Sequence, residues 1–146
     1  MKSFSFRLDR ILKLREDAEQ VHARRFGEAA REEADLDQQC RAQAKYLAEI
    51  GERIVPDAGK RTSAGVLQLL HLTSSVAAAQ LDQAEQARHE AEQKAEALRV
   101  ELAQARMERK TLERLKEQQQ VTWHEGQSRD DRKEMDEIAA RSKGRR

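Results

Sequence analysis

Aromatic side chains are nearly missing from this sequence, with three Phe, one Tyr and one Trp in 146 residues. A globular core leans on aromatic and branched side chains because each buries a large apolar area. Much of the apolar content here is Ala, so a narrow seam can form but a thick core is excluded. Proline occurs once and glycine six times, which makes the position of each breaker informative. The lone Cys40 rules out an intrachain disulfide and fits a reducing compartment. Neither sign of charge dominates, since 28 basic and 27 acidic residues are intermixed and leave a net +1. That argues against a general electrostatic hold on nucleic acid or membrane, which needs a one-signed surface. The opening MKSFSFRLDR lacks the apolar stretch of a signal peptide, and no run is expected to approach transmembrane length, so a cytosolic protein is expected.

What the chain does contain is charge and helix formers. Charged residues make up 38%, and Ala, Glu, Gln, Arg, Lys and Leu are abundant, the bias of long helices and coiled coils. Only residues 55–65 look like a connection. Pro56 disfavours helix at Val55, Gly59 and Gly65 flank the restart, and Thr62 or Ser63 can cap a new helix. The expectation is therefore one all-α coiled-coil domain over residues 1–146, with a helix over 5–54, a connector over 55–64 and a helix over 64–142. Gly27, Gly51 and Gly126 fall inside the helices at a cost of roughly 1 kcal/mol each relative to Ala. Gly126, in the least apolar surroundings, is the expected local break.

Alternating steps of four and three residues mark the seams. In the second helix they pass through Ala77, Leu81, Ala84, Arg88, Ala91, Ala95, Leu98, Leu102, Ala105, Arg109 and Leu112, all apolar but for the two Arg. In the first they pass through Phe26, Ala29, Glu33, Leu36, Cys40, Gln43, Leu47, Ile50 and Ile54. The upstream apolar set Ile11, Leu14, Ala18 and Val21 is out of phase with that run, which predicts a local change of supercoil around residues 21–26. Roughly ten connecting residues cannot run back along a helix some 75 Å long, so helices pairing within one chain are antiparallel. A turn near residue 60 puts residue 5 against residue 115 and leaves everything after about 116 as a protruding C-terminal helical end. That tail is polar, and packing is what stabilises most helices. Two readings are open to it: a fraying terminus, or an end that inserts into a partner through Met135, Ile138, Ala139 and Ser142 together with the stretch from Phe4 to Leu14.

Chemistry-bearing motifs are missing. His22, His71, His89 and His124 have no second His or Cys at ligand spacing, and solvated helix faces are their expected home. His89-Glu90 is not completed to a metalloprotease motif, and no phosphate-binding glycine loop is present. The carboxylates alternate with Lys and Arg at helical spacing, the pattern of a solvated charged surface. A two-helix hairpin also lacks a water-excluding pocket in which to shift pKa values. No enzyme, metal or cofactor is expected. Arg88 and Arg109 are expected to lay their stems along the seam and lead the guanidinium to solvent or to an acid on the other helix.

Three segments carry more than composition. The chain opens Phe4-Ser5-Phe6-Arg7-Leu8-Asp9-Arg10-Ile11-Leu12-Lys13-Leu14-Arg15-Glu16, an amphipathic start with aromatic and leucine positions before a basic turn. Arg109-Lys110-Thr111-Leu112-Glu113-Arg114-Leu115-Lys116-Glu117 follows in the second helix, and Glu134-Met135-Asp136-Glu137-Ile138-Ala139-Ala140-Arg141 near its end. Together, and in this order, they resemble the FliJ family, the small soluble coiled-coil component of the bacterial flagellar type III export apparatus. The resemblance implies a likeness to the central stalk of rotary ATPases. It implies a monomer that enters and stimulates the hexameric export ATPase (FliI), links it to the export gate protein (FlhA) and escorts export chaperones, peripherally associated with the inner-membrane export apparatus and binding no nucleic acid. For ATPase-ring binding it points to Met135, Asp136, Glu137, Ile138 and Arg141, with Phe4, Phe6 and Leu8 opposite in a neighbouring turn. For export-gate binding it points to Leu72, Val76, Ala79 and Gln83, of which Leu72 and Val76 could instead pack on the first helix.

Three other readings compete. A stalk protein of a virulence-type secretion system has the same architecture. A nucleic-acid-binding helical arm is supported only by Lys60, Arg61, Lys143, Arg145 and Arg146, and would bind weakly and in a salt-sensitive way. A homo-oligomeric spacer would pair its helices between chains.

Overall fold

The computed structural model describes residues 3–54 and 63–143. They form two helices, α1 (Asp9–Ile54) and α2 (Ala64–Lys143), with no strand among the described residues. The helices pack against each other in the expected all-helical hairpin. Of the expected connector, residues 55–62 lie outside the described residues, Pro56, Gly59, Lys60, Arg61 and Thr62 among them, and so do Arg145 and Arg146.

The helix starts have local causes. α1 begins at Asp9, later than expected, because the Asp9 N–H donates to the Phe6 carbonyl at 3.1 Å and the first intrahelical bond runs from Leu12 N–H to the Leu8 carbonyl at 2.9 Å. The turn before it folds Phe6 inward, to 6% exposure, and leaves the Asp9 carboxylate in the first turn, where it complements the positive end of the helix dipole. α2 begins after Ser63, whose carbonyl accepts from the N–H groups of Val66 at 3.0 Å and Leu67 at 3.1 Å, so Ser63 holds the capping position. Helix α2 runs through Gly126 without the expected break. A propensity cost of roughly 1 kcal/mol is smaller than the loss of the intrahelical hydrogen bonds that a break would leave to solvent.

The chain divides into two compact units, one of Met1–Val21 with Ala103–Arg146 and one of His22–Leu102. In the unit His22–Leu102 the two helix segments run antiparallel. Lys94 Nζ lies 2.9 Å from Glu32 Oε2, and Arg88 Nη1 3.7 Å from Asp37 Oδ1. Every expected seam position of this unit is buried or half-buried, with Ala29, Cys40, Ile50, Ala77, Ala91, Ala95 and Leu102 the most enclosed. Small Ala at alternate steps lets the backbones approach, and a Leu or Ile in the next layer supplies about 2 kcal/mol of burial.

In the unit Met1–Val21 with Ala103–Arg146 the segments are also antiparallel, but the seam is not the expected one. Of the expected set, Ile11, Leu14 and Val21 are exposed and Ala18 is half-buried. The line facing α2 is instead Leu8, Leu12, Arg15 and Glu19. In the sequence the same four–three step from Leu8 passes through His22, Phe26 and Ala29, without the change of phase that the apolar set Ile11, Leu14, Ala18 and Val21 suggests. The apolar residues misled because charged ones hold the seam: Arg15 pairs with Glu108, Glu19 with Arg106 and Arg109, and Asp9 with Lys116. The register differs too. Asp9 meets Lys116 rather than the neighbourhood of residue 111, a shift of roughly one helical turn. Residues 116–123 therefore have a partner on the N-terminal segment, and the unpartnered end begins later than expected. All residues from 128 to 143 are exposed.

Candidate interaction surfaces

At the N-terminal end of the first unit, the non-helical residues before α1 fold over α2. Phe4 packs on Trp123 with ring centroids 6.2 Å apart and planes tilted by 56°, and Trp123 meets His124 edge-on at 4.9 Å. Lys116 Nζ lies 5.9 Å from the centre of the Phe6 ring and 2.6 Å from Asp9 Oδ1, so one ammonium serves both a cation–π contact and an ion pair. Phe4, Ser5, Leu115, Gln118, Thr122 and Trp123 line an open groove beside this cluster.

Of the three N-terminal residues expected at the ATPase ring, Phe6 is buried against α2, while Phe4 and Leu8 are half-buried. Met135, Asp136, Glu137, Ile138 and Arg141 are all exposed, Met135 at 67%. The structure does not bring these two sets together. Phe4 lies against Trp123, and residue 135 is about 18 Å further along the helix at 1.5 Å per residue. Trp123, the packing partner of Phe4, is not among the residues expected at either surface. Continuing the steps from Leu112 through Lys116 and Gln119 to position 123 was the signal that could have found it.

The second surface belongs to the unit His22–Leu102. Leu72, Val76, Ala79 and Gln83 are all exposed, Leu72 at 63%, so none packs on the first helix. Leu69 is exposed as well and extends this face towards the helix start, while the exposed Val66 is turned about 120° from Leu72. They went unnoticed although residues 64–81 contain no Asp, Glu, Lys or Arg. This stretch also corrects the expectation that no run approaches transmembrane length: by length and composition α2 passes as a candidate span. Gln68, His71, Thr73, Ser74, Ser75 and Gln80 interrupt it, and the seam takes Leu67, Leu70 and Ala77.

Electrostatics are concentrated at Glu19. The Arg109 guanidinium, hydrogen-bonded to it, holds this carboxyl below its ordinary range, with Arg106 adding to the effect and burial opposing it. Glu19 in turn raises Arg109, which also pairs with Glu113. Arg88 and Arg109 thus meet acids on the facing helix, as expected. His71, His89 and His124 are exposed as expected, whereas His22 is half-buried at the seam, 3.4 Å from Glu101 Oε2. No cluster of three metal-ligating side chains occurs among the described residues. The arrangement offers apolar lines and ion pairs for binding helices.

The family model described as "Flagellar FliJ protein" matches residues 4–146. No curated protein and no solved structure gives a match.

Proposed function

Because this chain belongs to the FliJ family of flagellar proteins, associated with type III export, we propose that it serves as a stalk-like coiled coil that enters and stimulates the hexameric export ATPase. The observation that carries this reading is the end of α2. Residues 128–143 are helical, exposed and beyond the reach of the N-terminal segment, with Met135 and Ile138 bare on an otherwise polar surface. A helix so polar depends on packing for its stability, so a site that encloses it would stabilise it. Met135, Asp136, Glu137, Ile138 and Arg141 are the residues assigned to the ring, with Phe4 and Leu8 as a separate contact and Phe6 holding the N-terminal turn in place. The chain contributes no catalytic group. It acts by binding one conformation of the ring more tightly than another, and it can shift the ring only by that difference in affinity.

Export-gate binding is assigned to Leu72, Val76, Ala79 and Gln83, whose exposure on one uncharged stretch supports it. The same protein would escort export chaperones as a monomer at the cytoplasmic side of the export apparatus. The test is deletion of residues 130–146. The truncated chain is expected to keep most of its helicity by circular dichroism and to lose stimulation of the export ATPase. Full stimulation by the truncated chain rules the assignment out. Leu72→Gln with Val76→Gln is expected to spare ATPase stimulation and weaken pull-down of the gate protein.

A further inference from the structure

In the unit Met1–Val21 with Ala103–Arg146, residues 3–8 precede α1 and lie over α2 as a short non-helical stretch. Its two aromatic side chains fasten it. Phe4 packs on Trp123 with ring centroids 6.2 Å apart, and Phe6, 6% exposed, has the Lys116 ammonium 5.9 Å from its ring centre. Asp9, in the first turn of α1, holds that ammonium at 2.6 Å. Beside these contacts runs the open groove, lined by Phe4 and Ser5 from the stretch and by Leu115, Gln118 and Thr122 from α2. The gap is unfilled, so the side chains along it forgo the dispersion contacts that close packing would supply. Hydrogen bonds do not tie it shut. Among the described residues no backbone hydrogen bond joins residues 3–8 to α2, and the Thr122 hydroxyl donates to the Gln118 carbonyl of its own helix at 2.9 Å. The paired helices behind the stretch are built differently. From Asp9 onward α1 carries its own backbone ladder, Leu12 is 5% exposed, and Arg15 and Glu19 pair with Glu108 and Arg109. A segment with few buried contacts and no shared backbone hydrogen bonds opens locally, at a lower free energy than the body it lies on.

We propose that residues 3–8 are a strap that opens and closes while the two helices stay paired, and that its position sets where the free end of α2 begins. Closed, the strap covers α2 as far as Trp123. Open, it leaves Asp9 at Lys116 as the outermost contact between the helices. The free end then starts seven residues earlier, at Lys116 instead of Trp123, which is about 10 Å along the helix axis. Lys116 sits at the pivot, since the same ammonium serves the strap through Phe6 and the helix pair through Asp9. If the end of α2 enters the ATPase ring, the strap regulates how much of it is free to enter. That consequence rests on the ring assignment, whereas the strap itself does not.

Trp123 is the single Trp of the chain, so its fluorescence in the full-length protein reports the strap directly. The pH is held fixed, because His124 meets the indole edge-on. Phe4→Ala is expected to shift the emission to the red and to raise the acrylamide quenching constant at least twofold, with helicity by circular dichroism unchanged. Phe4→Tyr, which keeps the ring, is expected to behave as the wild type. On heating the wild-type chain, the emission maximum is expected to move at a lower temperature than the ellipticity. Hydrogen exchange in Phe4→Ala is expected to quicken at least threefold in residues 117–124 and to stay unchanged in residues 10–21. Unaltered emission and quenching in Phe4→Ala overturn the proposal, because nothing then lies over the indole in solution. Coincident thermal transitions in the wild type overturn it as well, and so does exchange that quickens equally in residues 10–21, because strap and helices then open as one. No step of the test uses the ATPase, so failure of the strap and failure of the ring assignment are told apart.

Discussion

In the unit His22–Leu102 most positions facing across the helix pair are apolar, Ala29, Cys40, Ile50, Ala77, Ala91 and Ala95 among them, with His22, Glu33, Gln43 and Arg88 the exceptions, while in the unit Met1–Val21 with Ala103–Arg146 they include Arg15, Glu19, Arg109 and Lys116. The spacing is the same and the chemistry is not. An apolar contact holds because water is excluded, so it responds to salt and pH far less than an ion pair does. A charged seam holds only while both partners are ionised and well placed, and its exposed pairs are screened over a Debye length of about 8 Å at physiological salt. Heptad spacing fixes which residues face across the pair, and residue type fixes how the contact responds to its surroundings.

The largest test of that contrast is a cavity in the apolar seam. Ile50, 4% exposed, replaced by Ala is expected to destabilise the protein by about 2–4 kcal/mol, measured by denaturant unfolding. The loss should be the same at low and high salt. A loss below about 1 kcal/mol, or one that varies with salt, would mean that the seam of this unit is not held by apolar burial.

Next in size is Glu19→Gln, with an expected loss of about 1–2 kcal/mol, since it leaves Arg106 without its acid and Arg109 with Glu113 alone. The sign with pH follows from the lowered pKa. A carboxyl that titrates below its unfolded value of 4.5 contributes stability that is complete above that value and is lost as pH falls through the folded one. The wild-type chain should therefore keep this contribution down to about pH 4.5 and weaken as the pH falls below it, and Glu19→Gln should remove part of that dependence. An unchanged pH profile of thermal unfolding in the variant would assign the acid sensitivity elsewhere.

These two substitutions also mark what the sequence could and could not convey. Ala77 through Leu112 and Phe26 through Ile54 announce themselves because apolar residues recur at the seam step, and the structure covers all of them. Around residues 8–22 apolarity pointed the wrong way. Ile11, Leu14 and Val21 are apolar and exposed, whereas Arg15, Glu19 and His22 are polar and lie on the line facing α2. Only the partners across the pair reveal this, and a partner on another helix is not written in local spacing. Register failed for a related reason. A turn centred at residue 60 was read from breakers alone, and the pairing of Asp9 with Lys116 required knowing which charges meet. The exposed face at Leu72 and Val76 was legible as a candidate, whereas its extension to Leu69 is marked by the absence of charge in residues 64–81.

A smaller effect of opposite sign is expected at Gly126, where a Cβ would meet nothing within 4 Å. Gly126→Ala should stabilise α2 by about 0.5–1 kcal/mol through the unfolded chain's lost freedom. The gain is expected to appear as slower hydrogen exchange in the last turns of α2, because the break anticipated at this glycine is not made. Unchanged exchange there would mean that those turns open independently of position 126.

The smallest effect belongs to a pair that resembles Glu19 and Arg109 on paper. Lys94 and Glu32 also join the two helices, at 2.9 Å, but both side chains are more than half exposed, against 23% and 17% for Arg109 and Glu19. Water competes for both ends of the exposed pair, and holding two long side chains in one geometry costs entropy that offsets most of the Coulomb gain. Lys94→Gln is therefore expected to change stability by less than about 0.5 kcal/mol, and a double substitution with Glu32→Gln should show a coupling of similar size. If the coupling at Lys94 and Glu32 matched that at Arg109 and Glu19, enclosure by the neighbouring helix would not be what strengthens the charged seam, and the distinction between the two units would rest on the number of ion pairs alone.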